Sequence, residues 1–296
     1  MKTLICTFLS LLTISLFAQP GPMSYIDQHE KTHLLGTFDR SVLQQDPFLE
    51  WFDQYYASYI PSSTIIQKIR TFNSEDIKIK IYLGTWCGDS KREVSRFLKL
   101  VDESNIENEQ VELTGLDNRP EYYKQGPNRE EKGLNIHRVP TFIFYRNNAE
   151  IGRIVEYPSS SLETDVAQIL SGMPPNSNYP MSNRIGQMLA EMPVDEVEST
   201  LLDKAKGIRS KIKSESELNS LGYVLIGADE IEKALVVFKL NSILFPESGN
   251  VFDSLAEVYL KAGDMELAIE NYMRSYQIDP TNENALVMVK SMLITP

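Results

Sequence analysis

Two stretches of this chain repeat one another at a period of 34 residues, and that repetition restricts the fold more than any other feature. LNSLGYVLIGADEIEKALVVFKLNSILFP ends at Pro246, and FDSLAEVYLKAGDMELAIENYMRSYQIDP ends at Pro280. Leu221, Gly222, Ala234, Phe238 and Pro246 of the first correspond to Leu255, Ala256, Ala268, Tyr272 and Pro280 of the second. Small residues at Gly222, Ala256, Ala234 and Ala268 let two paired helices approach closely, while Phe238 and Tyr272 fill the gap between neighbours. The prolines end the second helix of each pair, because a proline lacks the N–H that a continuing helix needs. Such a pair cannot bury its apolar face alone and must stack on others. Helical segments over 184–212 and 283–293 are expected to complete or cap the stack.

The rest of the chain is read against its bulk properties. At 296 residues two domains are expected, each large enough for its own core. A net charge of -12 with 14 Tyr and 12 Phe offers no basic stripe to neutralise phosphates, so no nucleic-acid partner is expected. The N-terminal MKTLICTFLSLLTISLFAQPGP carries Lys2, an apolar run from Leu4 to Phe17, and Ala18 before Gln19. That is the plan of a secretory signal peptide over 1–18, too short for a comfortable membrane span. Cys6 stands at the front of the run, the wrong end for a lipid-modified cysteine. Cleavage removes it and leaves Cys87 alone, with no membrane span, in a protein expected to be periplasmic or secreted by a bacterium. A lone thiol in an oxidising compartment stands out, since cysteines there are usually paired.

Residues 19–45 are polar and without pattern, and read as a lead-in segment. From 46 to 172 an α/β domain is expected. Phe48, Trp51, Phe52, Tyr55 and Tyr59 recur at helical spacing, Pro61 breaks the pattern, and the aromatic cluster reads as core. In DIKIKIYLG, Ile77, Ile79 and Ile81 alternate with lysines as in a strand. A helix follows over 88–104 with Val94, Phe97, Leu98 and Val101 on one face. Strands are predicted at 110–117, 141–146 and 150–158, the last two joined by the NNA turn, and a helix at 161–170. SGMPPNSNYPMSN marks a linker at 173–183, and the helical repeats occupy 184–296.

Trp86-Cys87-Gly88-Asp89-Ser90-Lys91 falls where the first strand hands over to the helix. Free N–H groups and the helix dipole at that junction stabilise a thiolate. The run resembles the thioredoxin family, whose Trp-Cys-Gly-x-Cys-Lys motif sits there. VPTFIFYRNNAEIGRI resembles the family's second landmark, a cis-proline followed by a strand and hairpin. The resemblance covers residues 70–172 and implies a thioredoxin-like sandwich in which Pro140 packs against Cys87. The backbone of Val139 would then be free to pair with an extended client. Trp86, Gly88, Asp89, Val139 and Pro140 would line the groove. The repeats resemble the tetratricopeptide family, which implies a protein-binding surface or, with so few units, an appendage docked on the first domain.

Departures from the family bear on function. Ser90 replaces the second cysteine, so no neighbouring thiol can release a mixed disulfide, and a two-electron cycle at this site alone is excluded. Ser90 is expected to hydrogen-bond the sulfur. Ile81 stands where the family keeps a buried carboxylate, and Ser95 where it has a helix-kinking proline. Asp89 would oppose thiolate formation, and Lys91 and Arg92 would favour it. His137 and Glu156 are candidate acid/base groups. Three histidines and one mature cysteine argue against a zinc site, and no phosphate-cradling loop or Gly-x-Ser-x-Gly elbow is present, so no metal or cofactor is expected. The expected activity is thiol–disulfide exchange by Cys87 with client proteins or small thiols, completed by an external thiol. The rival is a non-catalytic binding module that uses the groove and the repeats to hold protein partners.

Overall fold

A computed structural model of the chain describes residues 22–294. The expected signal peptide and Cys6 lie outside the described residues. The first part of the chain is an α/β unit and the second is entirely helical. The strands are β1 (Met23–Ile26), β2 (Thr32–Phe38), β3 (Ile77–Leu83), β4 (Val111–Gly115), β5 (Thr141–Arg146) and β6 (Ala149–Val155). They form one mixed sheet in the order β1-β2-β4-β3-β5-β6, in which β3 and β4 run parallel and the other neighbours run antiparallel.

Strand β3 takes the centre because its side chains suit two covered faces. Ile77, Ile79, Ile81 and Leu83 are buried on one face, and Tyr82 is buried on the other. The first face carries α1 (Leu49–Ser58), α2 (Ser63–Ile69), α3 (Gly88–Asp102) and α4 (Leu162–Leu170), which share one core with Phe142 and Phe144 of β5. Phe97 of α3 lies 5.0 Å from the Phe142 ring and 6.0 Å from Phe144, centroid to centroid. Val94, Phe97, Leu98 and Val101 all face inward, as their spacing predicts. The hairpin between β5 and β6 turns through Asn147 and Asn148, both at positive φ, which is the backbone hand that a tight hairpin requires.

The opposite face is covered differently. Tyr82, Leu116, Ile136, Val139 and Ile143 pack together beneath the long connection from 116 to 140 rather than beneath a helix. That connection is itself covered by the helical region. Asn135 donates to the carbonyls of Ser182 and Asn183 at 3.3 Å, Gln125 donates to the carbonyl of Gly227, and Arg138 donates to that of Ser216 at 3.1 Å.

One expectation is overturned. The lead-in read as patternless at 19–45 contributes two strands. Strand β2 hides four consecutive residues, His33 to Gly36 in part among them, because it is covered on both sides, so alternation never shows in its sequence. It pairs with β4, about eighty positions away, and its Leu34 N–H donates to Thr85 Oγ1 at 3.1 Å, tying it to the loop that carries Cys87.

The helical region comprises α5 (Pro180–Glu191), α6 (Val194–Ser199), α7 (Leu201–Ile208), α8 (Ser216–Gly227), α9 (Ile231–Leu244), α10 (Gly249–Lys261), α11 (Met265–Ile278) and α12 (Glu283–Ile294). Helix α5 starts inside the stretch read as linker. Helix α9 joins two cores: Val236, Val237, Leu240 and Leu244 face α5 to α8, while Ala234 and Phe238 face α10 to α12. A helix that packs on two sides carries little amphipathic signal, and α9 is of that kind, with Glu232 exposed and Lys233 and Lys239 half-buried between its two contact faces. Gly222 faces Phe238 so closely that an added Cβ would fall 2.4 Å from its ring, which is why a small residue stands there.

Gly115 tests whether β2 belongs to the sheet, since a Cβ there would lie 2.4 Å from the Leu34 carbonyl oxygen, a backbone atom with no freedom to rotate away. Gly115→Ala is expected to lower the free energy of urea unfolding by about 1–3 kcal/mol. A loss under about 0.5 kcal/mol, the range of an ordinary surface change, would show that β2 yields without cost.

Candidate functional site

Cys87 is placed by the end of β3. The chain turns at Gly84, whose carbonyl accepts from the Cys87 N–H at 2.9 Å, and Cys87 then becomes the N-cap of α3 with extended φ and ψ. Its side chain caps no helix N–H. Instead Sγ donates to the Val139 carbonyl at 3.3 Å, and the Val139–Pro140 peptide that follows is cis. The sulfur is half-buried at a helix mouth, where the open N–H groups of the first turn favour negative charge. Trp86 folds back so that its indole N–H donates to Leu116 O at 2.9 Å, and it fills the space that a Cβ on Gly84 would take. Gly88 is exposed with open space about it.

The structure brings Trp86, Cys87, Val139 and Pro140 together, but Val139 and Pro140 are buried and the Val139 carbonyl is taken by the thiol rather than free for a client. It also corrects Ser90. Its hydroxyl is fully buried and accepts from the Gly84 N–H at 3.1 Å, holding the turn rather than the sulfur. Asp89 pairs with Arg92 at 2.6 Å, and Arg92 also grips Glu93 at 2.6 Å, so neither its charge nor that of Asp89 is free to act on the thiol alone. Lys91 lies over the Trp51 ring at 5.9 Å, with its ammonium disfavoured mainly by burial. Ser95, in place of the proline of the resemblance, returns its hydroxyl to the Lys91 carbonyl at 2.7 Å. Ile81 is core.

Neither candidate acid/base group stands as a free side chain at the thiol. His137 is 1 % exposed, its Nδ1 lies 3.2 Å from the Asn135 carbonyl and thus donates to it, and its Nε2 has no protein partner. Burial holds its pKa down to about 3, with the charges of Lys124, Arg138 and Arg153 adding to the effect. It is a neutral packing group against Tyr179, ring centroids 6.0 Å apart. Glu156 leaves β6 in the left-handed region, φ 66°, which directs its N–H to the Pro140 carbonyl at 2.7 Å. Its carboxylate is committed to Arg138 at 3.2 Å and to the Tyr179 hydroxyl. Arg138 in turn lies 4.7 Å from the Tyr179 ring centroid.

Sequence reasoning missed Lys124 and Tyr123. Both come from the connection between β4 and the cis-proline, a stretch whose composition is that of any solvated loop. Lys124 is 4 % exposed, donates from Nζ to the His137 carbonyl at 2.6 Å, and lies 4.5 Å from the Tyr123 ring centroid. Burial brings its pKa down to about 7, Arg138 works in the same direction, and Glu156 and Cys87 work against it. Between about pH 7 and 10.5 the unfolded chain holds a proton here that the folded chain has released, so this group makes the fold more stable as pH rises across that window. Burial likewise raises the Tyr123 hydroxyl.

Among the described residues no three His, Cys, Asp or Glu side chains are grouped to hold a metal ion, and no helix is long and apolar enough to cross a membrane. No family model matches the chain, and no curated protein matches it.

The His137 environment gives a pH test. The free imidazole takes a proton near pH 6.5, and the folded one only near pH 3. Between those values the unfolded chain holds the extra proton, so stability falls as pH falls, by up to about 1.4 kcal/mol per pH unit. His137→Asn keeps a donor for the Asn135 carbonyl but does not titrate. Relative to wild type it should gain stability as urea melts are moved from pH 7 to pH 4. Parallel pH profiles for the two proteins would mean that the folded imidazole is solvated.

Proposed function

We propose that this chain is an exported thioredoxin-like protein that carries out thiol–disulfide exchange with Cys87 alone and bears a tetratricopeptide-like helical region after it. The observation that carries the reading is the half-buried Cys87 sulfur, at the N-cap of α3, set 3.3 Å from the carbonyl of Val139 ahead of the cis peptide to Pro140. A half-buried cysteine at a helix N-terminus supports such exchange, because the free N–H groups of the first turn favour the thiolate. The mixed sheet and the succession of α8 to α12, each packed on the next, support the two resemblances. The thiolate attacks a client disulfide, a Cys87–client disulfide forms, and the other client sulfur leaves as a thiolate and takes a proton. With Cys87 the lone cysteine among the described residues, and with Ser90 engaged by Gly84, release falls to a second molecule. An external thiolate attacks the client sulfur of the mixed disulfide and regenerates Cys87. Clients are disulfide-bearing proteins or small thiols outside the cytoplasm, and the helical repeats offer a surface for a protein partner.

The test is direct. Reduced protein is mixed with glutathione disulfide and followed by mass spectrometry. One glutathione should add at Cys87 faster than to free cysteine at the same pH, none should add to Cys87→Ala, and excess reduced thiol should remove it. A rate equal to or below that of free cysteine would overturn exchange chemistry and leave a groove used only for binding partners.

A further inference from the structure

The connection from 116 to 140 does more than cover the sheet. Its backbone closes on itself through Asp117 and Lys124: the Lys124 N–H donates to Asp117 O at 2.9 Å and the Asp117 N–H to Gln125 O at 3.0 Å. Lys124 adopts φ 56° at that closure, and its side chain runs inward. It has no carboxylate in contact among the described residues; its acceptors are the His137 carbonyl and the face of Tyr123. A buried lysine held only by neutral groups is costly, and nothing in the fold explains its retention as packing.

Its place explains it. The Lys124 ammonium sits on the His137 carbonyl and the Cys87 sulfur on the Val139 carbonyl, two residues further along one segment. Two residues of chain span at most about 7 Å, so both groups are bound to neighbouring points of the same backbone. The charge of Cys87 favours the Lys124 ammonium. We propose that the Lys124 ammonium, bound to the segment that also holds the sulfur, favours the thiolate form of Cys87. This inference rests on the thiol-exchange reading. Lys124 acts through the sulfur and is a positioning residue.

The thiol proton leaves to solvent, the Cys87 thiolate attacks the client disulfide, and a Cys87–client disulfide forms. The departing client thiolate takes a proton from solvent, the Lys124 ammonium acting only through its charge.

Other charged groups about the pair are already engaged. On the cis-proline segment, Arg138 repels the ammonium but is drawn to Glu156 at the end of β6, and Tyr179 from the start of α5 completes that pair. His137 is neutral, by its burial. On α3, Lys91 faces the Trp51 ring and Asp89 faces Arg92. On the far side of the connection, Glu131 is paired with Arg129, and Glu230 with Lys233 at the start of α9. Lys124 is thus left as the buried cation on the segment that holds the sulfur.

The experiment measures iodoacetamide alkylation of Cys87 in the full chain against pH, for wild type and Lys124→Met. At pH 7 the variant should react about tenfold more slowly, and at pH 10, where an ordinary thiol near 8.5 is already ionised, the two rates should meet. A rate ratio that is the same at every pH, or no difference at all, overturns the proposal, because a merely structural role would alter access at all pH values alike. Should Lys124→Met fail to fold, the wild type decides by NMR of lysine side chains labelled with ¹³C. A lysine titrating near neutrality must move to lower pH when Cys87 is capped by iodoacetamide, since coupling between two groups is reciprocal. An unmoved midpoint overturns the proposal. Failure of glutathione exchange in the wild type would instead remove the thiol-exchange reading, while the capped-protein titration still reports on the Lys124–Cys87 coupling by itself.

Discussion

The molecule depends on how its longest irregular connection is buried. Residues 116–140 take the place of a helix on the second face of the sheet, and they lie between Tyr82, Ile143 and their neighbours on one side and α5 and α8 on the other. Residues 118–122, 127–128 and 132–133 stay exposed, but at 116–117, 124–126, 136–137 and 139–140 the loop is buried, and backbone groups there that water cannot reach must find partners within the protein. The closure at Asp117, Lys124 and Gln125, the lysine on the His137 carbonyl, and the asparagine contacts to α5 are the result. The same contacts hold the helical region against the α/β unit. The segment that presents the Val139 carbonyl to Cys87 is therefore braced from both sides of the chain.

That burial also governs the electrostatics. Charges at the surface of this acidic chain are paired in ordinary ways, with Asp89 on Arg92 and Glu150 on Arg153. Beneath the connection the ordering is different. His137 is kept neutral by desolvation, Lys124 is brought near neutrality by it, and Glu156 is spent on Arg138 and Tyr179. Histidine and glutamate, the conventional candidates for proton transfer, are thus withdrawn, and the buried cation on this segment is a lysine from a different element.

Much of the fold was legible because local periodicity and local burial coincide. Ile77, Ile79 and Ile81 alternate because β3 has one face on α3, and the Val94 to Val101 stripe marks the inner side of that helix. The Asn147–Asn148 turn and the proline stops at 246 and 280 depend on one or two residues and their own backbone limits. Strand β2 was illegible for the opposite reason: with both faces covered it shows no alternation, and its partner β4 lies far away in the chain. Helix α9, packed between two cores, likewise has little pattern of its own.

At the site, the sequence by itself determined that a tryptophan and a cysteine stand at a strand-to-helix junction, and that a proline opens a later strand. Those follow from spacing within a dozen residues. Only the tertiary structure decided that Ser90 faces the Gly84 backbone, that His137 is sealed from water, and that Lys124 is drawn inside onto the His137 carbonyl. The titration of a side chain depends on how much water and charge surround it, and that surrounding is supplied by elements that share no neighbourhood in the chain.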